Sequence, residues 1–244
     1  MGDLAEELAQ LVGDLRSVME DAALRGVREE VAPLQAPAPA DWSAIAQGAR
    51  DAPALSSKRL QDVRAELGDC RRCELGSHRG TLVFGVGDPE ADLMVIGEGP
   101  GEEEDRRGEP FVGPAGQMLD KMLQHVIGLP RSAVYITNVV KCRPPRNRNP
   151  SPRETAACAP FLAAQIAAVA PRVCLVLGSV AFKALFQTDQ GITRARGTWR
   201  ELQGIPVMST FHPAYLLREP KKKRETFEDL KELRTRYDAL GGRR

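Results

Sequence analysis

The sequence predicts an α/β protein, a three-layer α/β/α sandwich around a central, mostly parallel sheet of four strands. Short apolar runs rich in β-forming residues alternate with segments that have helical periodicity. The predicted strands are Asp92–Gly97, Ala133–Val140, Val173–Gly178 and Ile205–Ser209. The predicted helices between them are Ala115–Ile127, Thr155–Val169 and Val180–Phe186. This alternation is typical of a parallel sheet that is covered by helices on both faces.

The chain is expected to divide into an N-terminal segment, residues 1–55, and a globular domain, residues 56–240. The first segment opens with apolar residues at helical spacing, such as Leu4 and Leu8, and continues into a stretch rich in proline and alanine. Two interpretations stay open: a disordered appendage, which we favour, and a helix that docks to a protein partner. The domain itself begins near Ser57 with a further predicted helix.

Composition and charge limit the class of protein. Hydrophobic residues make up 42% of the chain, which is enough for a packed core. The net charge of +1 indicates no particular partner, but basic residues gather within 143–153 and 218–224, where they suit either a polyanion or a solvated surface. No apolar run reaches the roughly 18–20 residues that span a bilayer, and the acidic N-terminus is unlike a signal peptide. We therefore expect a soluble, intracellular protein that is not in a membrane. The expected location is the cytoplasm, and the expected state is a monomer.

Four of the five cysteines are candidate metal ligands. Cys70 and Cys73 form a C-x2-C pair, while Cys142 and Cys158 lie far apart in the sequence. Thiolates are ligands for zinc and for iron–sulfur clusters, and the wide spacing of the second pair favours a cluster without excluding zinc. Cys174 lies inside a predicted strand, so we expect it to be an inert core residue.

Residues that follow the first predicted strand form a glycine-rich turn, Gly97 to Gly101. No Lys-Ser or Lys-Thr pair follows it, and the acidic residues after it would repel a phosphate, so a nucleotide-binding loop is a poor interpretation. Glycines instead allow the backbone to approach a ligand closely. Glu98 is then a candidate to orient water or to stabilise positive charge, with a helix N-cap as the alternative.

Three further residues are candidates for a binding site. Phe111, in a Gly/Pro-rich loop, is either a plug over the core or a stacking platform. Asn138 ends a predicted strand and has a donor and an acceptor to read a base edge, although it also suits a turn. His212 directly follows the last predicted strand and precedes a proline, which would hold its imidazole at the strand tip. Asn138 and His212 are expected to meet Glu98 at the carboxyl edge of the sheet.

Six segments carry a pattern that extends over residues 57–235. They are CRRC at 70–73, GEGPGEEED at 97–105, GEPFVGPAGQ at 108–117, YITNVVKCRPP at 135–145, the helix that contains Cys158, and HPAYLLR at 212–218. In this order and spacing they resemble the type 4 uracil-DNA glycosylases, a branch of the uracil-DNA glycosylase superfamily. The resemblance implies an enzyme that hydrolyses the N-glycosidic bond of uracil in DNA and leaves an abasic site, as in base excision repair.

The resemblance also implies roles for the candidate residues. A [4Fe-4S] cluster would be bound by Cys70, Cys73, Cys142 and Cys158. Uracil would be bound by stacking, edge hydrogen bonds and backbone contacts from Phe111, Asn138, Gly97 and Gly99. Glu98 would position water, and His212 would hydrogen-bond the departing uracil near O2.

The same resemblance implies a DNA-binding loop at the last motif. An apolar wedge and a phosphate contact would come from Leu216, Leu217 and Arg218, and Lys221–Arg224 would extend the phosphate contacts. Two alternatives stay open: a non-catalytic iron–sulfur protein that binds DNA or senses redox state on the same fold, and a glycosylase with a changed base preference.

Overall fold

The computed structural model describes residues 56–243, with side chains from Arg59 onwards. The predicted N-terminal helix and the Pro/Ala-rich linker lie outside the described residues. The sequence predicts the first helix of the domain over residues 57–70, but the helix is Ser56–Leu67, because Gly68 follows it with a positive φ of 54°. A glycine in this left-handed conformation is a common end of a helix.

The strands are β1 (Val86–Gly87), β2 (Leu93–Gly97), β3 (Tyr135–Asn138), β4 (Val173–Leu177), β5 (Trp199–Leu202) and β6 (Ile205–Thr210). They form one sheet in the order β1-β3-β2-β4-β6-β5. The inner four strands are parallel, as predicted. The first and last strands in this order pair antiparallel at the edges.

The two edge strands are an addition to the predicted four-stranded sheet. β1 is only two residues long, and β5 carries the mixed sequence WREL, in which only Leu202 is buried. Neither has the apolar run that marks a buried strand. β5 is joined to β6 by Gln203 and Gly204, whose φ angles of 59° and 78° are those of a tight hairpin turn.

The helices are α1 (Ser56–Leu67), α2 (Leu75–His78), α3 (Glu102–Arg107), α4 (Pro114–Met122), α5 (Pro152–Val169), α6 (Ser179–Phe186), α7 (Ile192–Ala195), α8 (Pro213–Arg218) and α9 (Lys223–Ala239). A π-helical turn, Leu123–Ile127, continues α4, and short 3₁₀ turns lie at Arg131–Ala133, Pro145–Asn147 and Pro220–Lys222. The three helices predicted between strands are therefore present. The first of them ends in the π turn.

The sheet buries both faces, which accounts for the nearly unbroken apolar runs of its inner strands. Met94 and Ile96 of β2 pack on one side with residues of α1, α5 and α6. Leu93 and Val95 pack on the other side with residues of α4, α8 and α9. Alternate residues of one strand therefore enter different cores, and the three-layer arrangement is the predicted one. Cys174 is fully buried in β4, as predicted.

The register of β2 and β3 brings two of the motifs together beyond the ends of the strands. Gly97 lies opposite Asn138. The pairing continues into the loops, where the Val139 N–H donates to the Gly97 carbonyl at 2.9 Å and the Val140 N–H donates to the Glu98 carbonyl at 3.1 Å. Within residues 56–243, no helix is long and apolar enough to cross a membrane.

Candidate active site

A cavity of about 380 Å³ opens beyond the carboxyl ends of β2, β3 and β6. Ligands of open α/β sheets bind at this edge. The predicted site residues that line the cavity are Glu98, Gly99, Phe111, Asn138, His212 and Arg218. The structure thus brings together residues that are up to 120 positions apart in the sequence.

Glu98 lies on the cavity wall with its side chain half-buried. Burial raises the pKa of the carboxyl above its ordinary value of 4.5. The alternative of a helix cap is excluded, because the N-cap of α3 is Gly101 and the reciprocal cap bond comes from Glu104. The carboxyl of Glu98 is therefore available to the cavity.

Gly97 is required by the close approach of two other site residues. A Cβ at this position would overlap both the side-chain oxygen of Asn138 and the ring of Phe111. Any residue other than glycine would thus push apart the ring and the amide that line the cavity. Gly97 does not itself line the cavity. Its role is to leave room for the Asn138 amide and the Phe111 ring to lie close together.

Phe111 is 5% exposed and still contributes to the cavity wall, so it is both a cover for the core and a surface of the site. Its ring stacks on the imidazole of His212, with centroids 5.6 Å apart. Its backbone has a φ of 54°, which is unusual for a bulky residue.

The loop after Phe111 is held by Glu104, a residue that sequence reasoning did not assign to the site. One carboxylate oxygen of Glu104 accepts the N–H groups of Val112 and Gly113 at 2.8 and 2.9 Å. The other accepts the Gly101 N–H at 3.1 Å. Glu104 therefore connects the glycine turn to the loop of Phe111. The signal that was available is its position three residues after the N-cap, which is the capping-box spacing.

Asn138 is 1% exposed, and its Oδ1 atom has no hydrogen-bond partner in the protein. A buried amide oxygen without a partner is uncommon and costs stability, because it has lost its contact with water. The amide also lines the cavity, beside the ring of Phe111. The alternative of a turn cap is not supported, since the side chain makes no such bond.

His212 is fixed in one tautomer by its own turn. The Ala214 N–H donates to Nδ1 at 3.1 Å, so in the neutral ring the proton is on Nε2. Burial, together with the cation of Arg218, lowers the pKa of the imidazole to about 4. A neutral ring with an Nε2–H donor therefore stands in the cavity wall. Gly178 packs so closely that a Cβ there would lie 2.9 Å from the His212 Cβ.

The predicted DNA-binding loop is helix α8, and its two leucines differ. Leu216 is 1% exposed and packs in the core beneath the helix, so its part in an apolar wedge stays a prediction. Leu217 is 43% exposed, one of two large apolar side chains that are exposed among the described residues. Arg218 is exposed and lines the cavity. The helical period turns adjacent residues to different sides.

Basic residues around the cavity are partly engaged with carboxylates. Arg143 donates to Glu102 at 3.1 Å, and Arg148, which lines the cavity, forms a bidentate pair with Glu154. Within the predicted phosphate-contacting stretch, Lys222 donates to Glu225 at 2.7 Å. The other members of that stretch, Lys221, Lys223 and Arg224, are exposed.

The four candidate cysteine ligands line a second pocket. Cys142 is buried and the other three are half-buried. Burial raises the thiol pKa values of Cys73 and Cys142, and raises that of Cys158 to about 11. Among the residues that the structure describes, no three His, Cys, Asp or Glu side chains are arranged as the site of a single ion.

Arg79 organises the cysteine pocket, and nothing in the sequence pattern indicated it. Its Nη1 atom donates to the Cys70 carbonyl at 2.6 Å and to the Cys142 sulfur at 3.3 Å. Its Nη2 atom donates to Asp69. The side chain is 4% exposed. One guanidinium therefore bridges the first pair of cysteines to the second, which only the folded chain reveals.

A model of the Uracil DNA glycosylase superfamily matches residues 84–232. A Type-4 uracil-DNA glycosylase of Sulfurisphaera tokodaii is 40% identical over 72% of this chain and 83% of its own length. One from Thermotoga maritima is 42% identical over 72% of this chain and 93% of its own length. A Type-5 uracil-DNA glycosylase of Pyrobaculum aerophilum is 33% identical over 75% of this chain.

Proposed function

This chain belongs to the uracil-DNA glycosylase superfamily, and we propose that it hydrolyses the N-glycosidic bond of uracil in DNA, leaving an abasic site for base excision repair. Relatives of 38–42% identity that carry the type-4 name support this activity. Because its substrate is DNA, we infer that the protein acts in the compartment that holds the DNA, the cytoplasm.

The observation that carries the proposal is the unpartnered Oδ1 of Asn138 beside the ring of Phe111. A pyrimidine that enters the cavity finds a ring to stack on and an amide that can pair with both a donor and an acceptor of the base edge. Uracil offers an N–H between two carbonyl groups. The Oδ1 atom of Asn138 would accept that N–H. The free-energy cost of burying this oxygen without a hydrogen-bond partner would then be removed.

We infer that the uracil reaches this cavity by flipping out of the helix, since its glycosidic bond is not accessible in the stack. Leu217 is the apolar side chain suited to fill the space that the base leaves, and Arg218 beside it is suited to a phosphate. Leu216, which packs in the core beneath α8, would support Leu217 in this wedge. Lys221, Lys223 and Arg224 would extend the phosphate contacts.

Glu98 and His212 would then act on opposite charges. Bond cleavage leaves positive charge on the sugar and negative charge on the uracil. The Glu98 carboxylate would stabilise the sugar cation and orient the water that attacks it. The Nε2–H of neutral His212 would donate to the uracil oxygen as negative charge builds there. A neutral imidazole suits this task, because it stabilises the uracil anion by a hydrogen bond and does not transfer its proton to it.

The cysteine pocket fits an iron–sulfur cluster, and we propose [4Fe-4S] bound by Cys70, Cys73, Cys142 and Cys158. Four soft sulfur donors line one pocket, with Arg79 and Lys141 beside them to offset the charge of thiolates. The cluster would have a structural role, because it would cross-link the segment of Cys70 and Cys73 to the segment of Cys142 and Cys158.

The test is incubation of the protein with a uracil-containing oligonucleotide, followed by alkali, which cleaves the strand at abasic sites. We expect scission at the uracil and none in a thymine-containing control. Glu98→Gln keeps the shape of the side chain but removes the carboxylate. It is the matched control and should lose scission at the uracil. A cluster-loaded protein that bound DNA without scission would contradict the proposal and would favour a non-catalytic DNA-binding protein.

A further inference from the structure

Lys141 is a buried cation at the junction of the two sites. Its side chain is 0% exposed, yet among the described residues it forms no salt bridge with a carboxylate. Unlike Lys141, the buried carboxylates have partners for their charge: Glu154 and Asp229 pair with arginines, and Asp105 accepts backbone N–H groups. Burying an ammonium without an opposite charge is strongly unfavourable. Something in its surroundings must therefore offset its charge.

The ammonium of Lys141 contacts the end of β3. Its Nζ atom donates to the Asn138 carbonyl at 2.6 Å and to the Thr137 hydroxyl at 2.8 Å. The Thr137 hydroxyl in turn lies 2.8 Å from the Phe84 carbonyl. The backbone that carries the Asn138 amide is therefore held from behind by a charged donor.

The other side of Lys141 faces the cysteines. Lys141 lines the same pocket as the four candidate ligands. The sulfur atoms of Cys142, which follows it directly in the chain, and of Cys158 line this pocket with it. As neutral thiols these sulfurs would offer little compensation, whereas thiolates that bind a metal centre carry the negative charge that the ammonium lacks.

We propose that Lys141 is a positioning residue that couples the cysteine site to base recognition. Thiolates held by the cluster stabilise its buried ammonium, and the ammonium fixes the Asn138 carbonyl so that the amide stays beside the ring of Phe111. This inference rests on the proposed function. It gives the cluster a part in uracil binding although it lies outside the cavity and takes no part in the reaction.

The first arm of the test is a double-mutant cycle of Lys141→Met with Asn138→Ala. Loss of one charged hydrogen bond predicts a decrease of about tenfold in kcat/KM for K141M alone. Because Lys141 acts through Asn138, the double variant should be no less active than N138A. A merely structural role would instead lower activity in both backgrounds by the same factor, and that result would overturn the proposal.

The second arm measures the cluster itself, with no reference to activity. Absorbance at about 400 nm is followed during exposure to a chelator. K141M should lose this absorbance faster than the wild type, while N138A and the exposed control Lys183→Met should not. Equal rates for K141M and wild type would contradict the charge coupling. If K141M does not fold, Lys141→Gln, which keeps a donor but no charge, is subject to the same expectation.

The two arms also separate this inference from the proposed function. If the wild-type protein did not excise uracil, the proposed function would fail. The absorbance measurement would still decide whether Lys141 stabilises the cysteine site.

Discussion

The ring of Phe111 stacks on the imidazole of His212, with centroids 5.6 Å apart and an interplanar angle of 29°. The two residues come from different loops, one after α3 and one after β6. Their contact means that the aromatic surface of the cavity and its proposed hydrogen-bond donor are positioned as one unit. Changes to either residue should therefore alter the other.

Phe111→Ala should lower kcat/KM for uracil excision by about tenfold or more, because it removes the stacking surface and the packing of His212. Loss of the ring should also let water reach the imidazole, so the pKa of His212 should rise from about 4 toward its ordinary value. Kinetics and NMR titration of the histidine measure the two effects. The exposed Phe227→Ala is the control and should change neither.

Gly97→Ala should reduce activity by about a hundredfold, because the added methyl group displaces the Asn138 amide and the Phe111 ring from their places. The control is Gly191→Ala, where a Cβ meets nothing within 4 Å. Single-turnover rates on one uracil-containing oligonucleotide provide the comparison. An active G97A with normal kinetics would show that the close contact at this position is not needed.

His212→Ala should lower kcat by roughly 100- to 1,000-fold, as expected when one donor to a developing anion is removed. Binding of uracil-containing DNA should change much less, because the hydrogen bond strengthens only as charge develops. Separate measurement of kcat and of DNA affinity tests this. A variant that lost affinity while keeping kcat would assign His212 to ground-state binding.

The pH dependence of excision should have an acid limb that belongs to Glu98. Its carboxyl must be ionised to stabilise the sugar cation, so activity is present above its pKa and is lost as pH falls through it. Because burial raises that pKa, the loss should begin above the ordinary value of 4.5. His212 is neutral down to about pH 4 and should add no limb near its ordinary 6.5. A profile of kcat/KM against pH measures this, and a limb unchanged in E98Q would assign it elsewhere.

Removal of a cluster ligand should act on iron content and stability. Cys158→Ser should lower bound iron and the melting temperature, because the loop between Cys142 and α5 would lose its cross-link to Cys70 and Cys73. The matched control is Cys174→Ala, which changes a buried cysteine in β4 outside the pocket. Iron analysis and thermal unfolding give the result. Iron content that fell equally in both variants would contradict the assignment.

By itself, the sequence determined the parallel centre of the sheet, the set of motifs and six of the residues that line the cavity. Buried strands such as β2 and β4 are readable because burial on both faces demands an unbroken apolar run. Strand ends are equally readable, because a parallel sheet places them along one edge. Glu98, Asn138 and His212 were found in this way.

Only the tertiary structure decided features that depend on residues far apart in the chain. The edge strands β1 and β5 exist because a partner strand offers hydrogen bonds, and their own sequences carry no apolar run. Arg79 and Lys141 became significant through contacts with cysteines and strand ends that the fold brings near. The separation of buried Leu216 from exposed Leu217 likewise depends on what lies beneath α8. Local patterns record burial and turns, whereas contacts between distant residues exist only once the chain has folded.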